Sequence, residues 1–348
     1  MSTAPSPATI RDVARLAGVS PATVSNVLRD HPRVSDATRA RVRAAADELS
    51  YEPNALARSL RSGRSGTIAL VVPDLRNAYF AELASEVIGA ASRYGLRVAV
   101  EVLAGDRAHE VSVLTGSMTA FVDGLVYVPQ KLLGTEIDDV LETRRAHRVP
   151  VVLLGERGAD SHCPQVGYRN VEASRAVTEL LLAGGARRIA AIGPHERAGS
   201  ATPRLEGYLA ALDAAGIPRD DALIRPTTAW HRTSGAQAVA ELLADGVEVD
   251  AVFGFNDMLA LGALSTLVRA GLDVPGQVQV AGFDDLEESA FALPALSTVE
   301  PGKRHAAGLA LEVLAHLLEH DDEDDPGAVD SRLADFTVIP RGTTRSAR

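Results

Sequence analysis

Three residues between positions 21 and 26 can contact the edges of DNA bases. Asn26 can pair with adenine in the major groove, and Pro21 and Ala22 offer apolar contact to a thymine methyl group. Ala22 and Asn26 are four residues apart, so they share one face of a helix. A helix that placed these residues in the major groove could therefore contact bases.

Two short helices around Gly18 are predicted to position these residues. Thr9 and Asp12 have the spacing of a capping box for the first helix. Gly18 can end that helix in a left-handed conformation, and Ser20 is a favourable N-cap for the second helix. Apolar residues of the second helix recur at helical spacing and should pack against the first: Val24, Val27 and Leu28. This arrangement predicts a helix-turn-helix, whose second helix enters the major groove.

An ordinary helical hairpin is the alternative interpretation, because two short helices around a glycine are common. A third predicted helix favours DNA binding. Val34 and Ser35 have the pattern of a hydrophobic staple and an N-cap for this helix. Its outer side carries basic residues: Arg39, Arg41 and Arg43.

The segment YEPNALARSLRSG, residues 51–63, follows the third helix. Together with RSGTIALVVPD it closely resembles the junction of the LacI/GalR family of bacterial transcription regulators. The resemblance implies that residues 54–61 form a short hinge helix, paired with that of a dimer mate in the minor groove, where Leu60 inserts between bases. The implied hinge contacts are Asn54, Ala57, Arg58, Leu60 and Arg61. An ordinary linker helix that packs through Leu56 and Leu60 is the alternative.

The resemblance also implies a homodimer bound to double-stranded, palindromic operator DNA. Pro21, Ala22 and Asn26 are then expected to contact bases. Further residues are expected to position the DNA backbone: Ser20, Thr23, Ser25 and Arg29.

Charge is divided unevenly along the 348-residue chain. Residues 1–66 carry ten arginines and six acidic residues, whereas the remainder carries 25 basic and 40 acidic residues. The phosphates of DNA would orient such a molecule by its basic end. No run of about 18 apolar residues occurs, so no membrane span is expected. Residues 1–7 look like a disordered tail without a signal peptide. The single Cys163 excludes an internal disulfide, and together these features predict a cytoplasmic protein.

After residue 66, apolar strands alternate with amphipathic helices, which predicts parallel sheets covered on both faces. Two successive series of this kind resemble the bilobed body of periplasmic sugar-binding proteins, which the family shares. The expected fold is a small all-α helix-turn-helix headpiece at 8–53, a hinge helix and linker at 54–64, and an α/β bilobed periplasmic-binding-protein-like core of two doubly wound parallel sheets at 65–348. The expected lobes are lobe 1 at about 66–165 and 298–328, and lobe 2 at about 166–297 and 329–342.

Ligands of open α/β sheets bind beyond the carboxyl ends of the strands, so both lobes should line one cleft. The resemblance implies that the following residues face a small-molecule effector: Asn77, Tyr79, Phe80, Arg204, Trp230, Asn256 and Asp284. Glu156 is a further acid of the cleft, or only a loop residue. Aromatic faces and paired hydrogen bonds suit a sugar or polyol. A purine or nucleoside stacked on the aromatic rings is the second candidate.

Several of these residues have structural alternatives. Tyr79 and Phe80 could belong to the core of lobe 1, and Trp230 could merely pack at the lobe boundary. Asp257 is expected to be a helix N-cap rather than a ligand contact. Two residues depart from those that the family usually has at their positions: Arg169 and Pro301. The sequence does not define how they shape the cleft.

Catalysis and metal binding are not expected. His316 and His320 match the H-x-x-E-H pattern of some zinc peptidases, but no third ligand is evident. No P-loop, nucleophile elbow or cysteine pair occurs. We predict a regulator, expected to be a repressor, that needs no cofactor and whose operator affinity changes when an effector alters the spacing of the hinge helices. A secreted solute-binding protein would share the core but not the headpiece.

Overall fold

The computed structural model describes residues 8–28, 34–51, 64–116, 122–132, 134–143, 149–156, 161–194, 199–319 and 331–346. The chain forms two compact units, a headpiece at Met1–Ser65 and a core at Gly66–Arg348. Several predictions lie outside the described residues: the tail at 1–7, Arg29, the hinge contacts at 54–61 and His320.

Capping signals set the bounds of the headpiece helices. These helices are α1 (Ile10–Ala17), α2 (Pro21–Leu28) and α3 (Asp36–Glu48). The Asp12 carboxylate accepts hydrogen bonds from the backbone N–H and the hydroxyl of Thr9, at 3.0 and 2.7 Å. Gly18 ends α1 with a φ of 64°, and Ser20 Oγ accepts a backbone N–H of the first turn of α2 at 3.1 Å. The predicted helix-turn-helix is confirmed.

A small apolar core joins the three described helices of the headpiece. Val13, Val24, Val27 and Val42 are fully buried in it. Because these residues occupy one side of each helix, the opposite side of α2 remains exposed.

The core alternates strands and helices, as the sequence predicts. Its elements in chain order are β1 (Thr67–Val72), α4 (Ala78–Ser92), β2 (Arg97–Val102), α5 (Arg107–Thr115), β3 (Gly124–Tyr127), α6 (Thr135–Glu142), β4 (Val151–Leu154), β5 (Gln165–Tyr168), α7 (Asn170–Ala183), β6 (Ile189–Pro194), α8 (Ala201–Ala214), β7 (Ile224–Thr227), α9 (Arg232–Ala244), β8 (Ala251–Gly254), α10 (Asp257–Arg269), β9 (Gln279–Ala281), α11 (Glu287–Phe291), β10 (Thr298–Glu300), α12 (Lys303–Glu319), β11 (Arg332–Ala334) and β12 (Thr337–Ile339).

Two parallel sheets organise the core into two lobes. Lobe 1 has the described strand order β11-β5-β4-β3-β1-β2, and lobe 2 has the order β7-β6-β8-β9. The apolar runs of β3, β4 and β8 are buried along their whole length, as expected for strands covered by helices on both faces. The antiparallel pair of β10 and β12 packs on the apolar core of lobe 2.

The chain crosses between the lobes later than the sequence predicts at each of the three described crossings. Strand β5 pairs with β4 in lobe 1, so the first crossing follows β5 instead of lying near Gln165. The second crossing follows β10 rather than Ser297. Strand β11 pairs with β5, so the third crossing follows β11 and the predicted position near Val329 is wrong. The pairing partner of each strand, which an apolar run cannot reveal, decides all three positions.

Two glycines let α9 and α10 pack closely in lobe 2. A Cβ atom at Gly235 would lie 2.0 Å from the carbonyl oxygen of Leu259, and one at Gly262 would lie 1.9 Å from that of Arg232. Since α9 follows Trp230 and α10 follows Asn256, this contact fixes the spacing of two predicted effector residues.

Candidate effector site

Side chains from both lobes converge beyond the carboxyl ends of the two sheets. This edge is where open α/β sheets bind ligands. The predicted effector residues stand at these places: Asn77, Tyr79 and Phe80 after β1, Glu156 after β4, Arg204 on α8 after β6, Trp230 after β7, Asn256 after β8 and Asp284 after β9.

Arg204 is the centre of a buried polar network. It is 6% exposed, and its Nε donates a hydrogen bond of 2.8 Å to Asn170 Oδ1. Its Nη1 donates to the carbonyl oxygen of Phe255, and its Nη2 lies 3.6 Å from Asp284 Oδ1. The guanidinium also stacks 3.6 Å above the ring of Phe283. These contacts fix the plane of the guanidinium, and with it the direction in which its remaining N–H groups point.

Asn170 completes the network, although its place in the sequence did not predict this role. Its Nδ2 donates a hydrogen bond of 2.6 Å to Glu156 Oε1, while its Oδ1 accepts from Arg204. Asn170 begins α7 directly after the first crossing, so it connects an acid of lobe 1 to the arginine of lobe 2. A polar residue two positions after the strand QVGY was the signal that could have identified it.

Burial moves the acids of the site towards their neutral forms. It raises the pKa of Glu156, although the hydrogen bond from Asn170 and the charge of Arg204 oppose the shift. It also raises the pKa of Asp284 to about 6, against the charges of Arg204 and Lys303. Burial lowers the pKa of the Arg204 guanidinium, against the charge of Asp284. The cost of desolvation therefore exceeds the attraction within the pair, and a polar ligand could recover part of it through hydrogen bonds.

Asn256, and not Asp257, is the N-cap of α10. Its Oδ1 accepts the backbone N–H of Leu259 at 2.8 Å, which corrects the expectation for Asp257. Asp257 is fully buried and accepts hydrogen bonds from Ser289 Oγ and Thr298 Oγ1. Its carboxylate thus connects α10 to α11 and to β10, the two elements that follow β9.

The aromatic residues divide between the two lobes. Trp230 is half-buried, with its ring 5.7 Å from the Arg204 guanidinium. Tyr79 and Phe80 make an edge-to-face contact of 5.1 Å and pack against the core of lobe 1. The Tyr79 hydroxyl donates a hydrogen bond of 2.9 Å to the Tyr168 hydroxyl. Both rings of lobe 1 therefore have a structural role beside any contact with an effector.

The remaining predicted residues lie at the start of a helix or at the crossings between the lobes. Asn77 caps α4 by accepting the backbone N–H of Tyr79 at 3.1 Å. Arg169 lies 3.6 Å from Asp335 and outside the buried network. Pro301 is buried at the second crossing, where it separates β10 from α12.

The described network suits recognition better than catalysis. It offers rigidly held donors and acceptors at the edge of two facing sheets, next to an aromatic ring. Within the described residues, no group of three His, Cys, Asp or Glu side chains could hold a metal ion.

Comparison with known proteins identifies the family. Residues 9–54 match the model of bacterial regulatory proteins of the lacI family, and residues 178–344 match that of the periplasmic binding protein-like domain. The ribose operon repressor of Escherichia coli (strain K12) is 35% identical over 312 residues, which cover 89% of this chain and 92% of that protein. The chain belongs to the LacI family of bacterial regulatory proteins.

Other LacI-family proteins match nearly the whole chain. The HTH-type transcriptional repressor CytR of Escherichia coli (strain K12) is 32% identical over 339 residues, 97% of each chain. The crystal structure of the lac repressor dimer bound to operator and the anti-inducer ONPF has a TM-score of 0.82 and 26% identity, and the match covers 98% of this chain and 100% of that chain. Both of these relatives are named as repressors, and the comparisons support a LacI-family transcriptional repressor regulated by effector binding.

The headpiece of this LacI-family protein exposes the residues predicted to contact bases. Pro21, Ala22 and Asn26 are exposed on α2. Among the residues predicted to contact the DNA backbone, Ser20 is exposed, and its hydroxyl lies 2.9 Å from that of Thr23. In the part of the chain that the structure describes, no helix has the length and hydrophobicity of a membrane span.

Proposed function

We propose that the effector is an uncharged sugar or polyol held between the two lobes. The observation that carries this proposal is the buried network of Arg204, Asn170 and Asp284, joined across the lobes to Glu156. A planar guanidinium and a nearby carboxylate can bind adjacent hydroxyl groups of a sugar in pairs. Trp230 offers a ring face for the apolar side of a pyranose or furanose.

The charges of the network favour a neutral effector over a phosphorylated one. Glu156 and Asp284 are acids, and the two nearby cations already have partners: Arg204 faces Asp284, and Lys303 pairs with Glu82. A phosphate group would bring further negative charge beside two carboxyls in a buried site, where repulsion is weakly screened. A sugar phosphate should therefore bind more weakly than the parent sugar.

The proposed effector contacts extend the network on both sides. Asn256 and Glu156 would add hydrogen bonds, and the residues after β1 would close the site from lobe 1: Asn77, Tyr79 and Phe80. A purine or nucleoside is the second candidate, because Trp230 could stack a base, and a thermal-shift screen separates the two classes.

We further propose that the repressor is a homodimer on a palindromic operator in the cytoplasm. Phe291 and Leu293 are 78% and 91% exposed on lobe 2. Exposed apolar patches mark protein interfaces, so we place the dimer contact of lobe 2 at these two neighbouring side chains. In DNA recognition, Asn26, Pro21 and Ala22 would contact bases. The hinge contacts, from Asn54 to Arg61, rest on the sequence resemblance.

A thermal-shift screen tests the effector proposal. A ligand that binds the native state raises the melting temperature with dose. We would compare D-ribose, D-galactose, cellobiose, ribose 5-phosphate, adenosine and cytidine, using the wild type, Arg204→Lys and Trp230→Leu. Arg188→Lys is the matched control, because Arg188 pairs with Asp220 at 3.5 Å on the surface of lobe 2.

A neutral sugar should stabilise the wild type and Arg188→Lys, and both site variants should lose the response. A response to nucleosides alone would replace the sugar with the second candidate. A sugar response that persists in Arg204→Lys and Trp230→Leu would place its binding outside this site.

A further inference from the structure

The loop that carries Asp284 has a strained backbone. The φ angles of Asp284 and Asp285 are 115° and 48°, in the region that favours glycine. A residue with a side chain keeps such a conformation only where its surroundings hold it there. The contacts of this loop therefore decide where the Asp284 carboxylate stands.

Lys303 supplies part of that support from the other lobe. It is the first residue of α12, which packs in lobe 1, and its side chain is 9% exposed. Its Nζ donates hydrogen bonds to the carbonyl oxygens of Asp284 and Asp285, the second at 3.2 Å. A buried ammonium group needs such partners, because its desolvation is costly without them.

Glu82 of α4 completes the contact. One carboxylate oxygen lies 2.8 Å from Lys303 Nζ, and the other accepts the backbone N–H of Glu287 at 3.1 Å. Glu287 begins α11 in lobe 2. The ion pair of lobe 1 thus holds both ends of the loop at 284–287 through its backbone.

Charged side chains line the lobe boundary at this place. A crevice of about 670 Å³ lies there, and its walls include Glu82, Glu86, Asp285, Glu300 and Lys303. The neighbouring ion pair of Arg304 with Glu86, at 3.0 Å, joins α12 to α4 and stays within lobe 1. The contact of Lys303 and Glu82 with the loop crosses to lobe 2 instead.

We propose that Lys303 and Glu82 form an interlobe latch that positions Asp284. As a positioning residue, Lys303 acts on the effector through the backbone of Asp284 and Asp285. The latch rests on the proposed function for its link to the effector, but its structural part can be measured on the effector-free protein. An effector that contacts Asp284 would then bind one particular arrangement of the lobes more tightly than another, which is the requirement for allosteric coupling.

Hydrogen exchange of the full-length, effector-free protein tests the latch. In Lys303→Met, the amides at 284–289 should exchange about tenfold faster, because hydrogen bonds to a charged group are among the stronger ones in proteins. Lys303→Arg should restore most of the protection. Arg304→Met is the matched control, since it removes an adjacent cation that is 87% exposed and contacts lobe 1, and it should leave these amides unchanged.

A double-mutant cycle separates the latch from a general loss of stability. Glu82→Gln should accelerate exchange of the same amides, and adding it to Lys303→Met should cause little further change. Equal acceleration in the sheets of both lobes, full additivity, or unchanged exchange in Lys303→Met would overturn the latch. If no sugar stabilises the wild type, the proposed effector fails, while the exchange data still decide the latch.

Discussion

Replacing Arg204 with methionine should destabilise the core by about 4 kcal/mol at neutral pH, because loss of one partner of a buried ion pair costs about 3–5 kcal/mol. Arg204 Nη2 lies 3.6 Å from Asp284 Oδ1. Two unit charges at that distance attract by about 5 kcal/mol at an effective dielectric constant of about 20. The change also removes the hydrogen bonds to Asn170 and to the carbonyl oxygen of Phe255. Desolvation offsets part of this attraction, whereas the lost hydrogen bonds add to the cost, so a loss of about 4 kcal/mol lies within the range for breaking a buried pair.

The destabilisation should depend on pH. Burial raises the pKa of Asp284 from 3.8 to about 6, so the native state binds its proton more tightly than the unfolded chain. This carboxyl therefore lowers stability as the pH rises between those two values. Without Arg204 the pKa of Asp284 should rise further, so the free energy of unfolding should continue to fall at higher pH. The free energies of unfolding of the variant and the wild type should consequently differ less at pH 5 than at pH 8.

Urea unfolding of both proteins at pH 5 and pH 8 measures the effect. Arg188→Met is the control, because the pair of Arg188 and Asp220 is solvent-exposed and its loss should cost less than about 1 kcal/mol. An equal loss at both pH values, or a loss no greater than that of the control, would refute the role assigned to the buried pair.

Three further predictions concern packing, assembly and DNA reading. Gly235→Ala places a Cβ atom 2.0 Å from a backbone oxygen of α10 and should cost about 1–3 kcal/mol in calorimetry, whereas Gly89→Ala, which meets no atom within 4 Å, should not destabilise the protein. Leu293→Asp should give a monomer in sedimentation, while Leu333→Asp, at a residue that is 43% exposed on lobe 1, should stay dimeric; two dimers would exclude the proposed interface. Asn26→Ala should relax specificity at one symmetric pair of bases in a selection from random duplexes, and a uniform loss over all sequences would contradict base reading.

The headpiece was predictable because its signals are local. A capping box, a left-handed glycine and an N-cap serine each act within one turn of helix, so Thr9, Gly18 and Ser20 identified the elements from sequence alone. The apolar spacing of Val24 and Val27 then indicated the buried side of α2.

The core was predictable in type but not in its long-range pairings. Strand β11 lies beside β5, more than 160 residues earlier in the chain, and the short run RLA carries no mark of that partner. For the same reason, Asn170 was missed and Asp257 was assigned to the wrong role. The function of each depends on contacts made only in the folded chain, with Arg204 in one case and Ser289 in the other. In the sequence, Lys303 is only the first residue of a predicted helix. Its contact with the loop of Asp284 is evident only in the folded chain.

Operator binding in the presence of the stabilising sugar tests the central claim most directly. A palindromic duplex selected from random DNA would be titrated with full-length protein by fluorescence anisotropy, with and without the sugar, for the wild type, Arg204→Lys and Arg188→Lys. We expect the sugar to change operator affinity about tenfold or more, within the usual range of allosteric coupling, in the wild type and Arg188→Lys but not in Arg204→Lys. An unchanged affinity in the wild type, or an undiminished response in Arg204→Lys, would contradict control of DNA binding through this site.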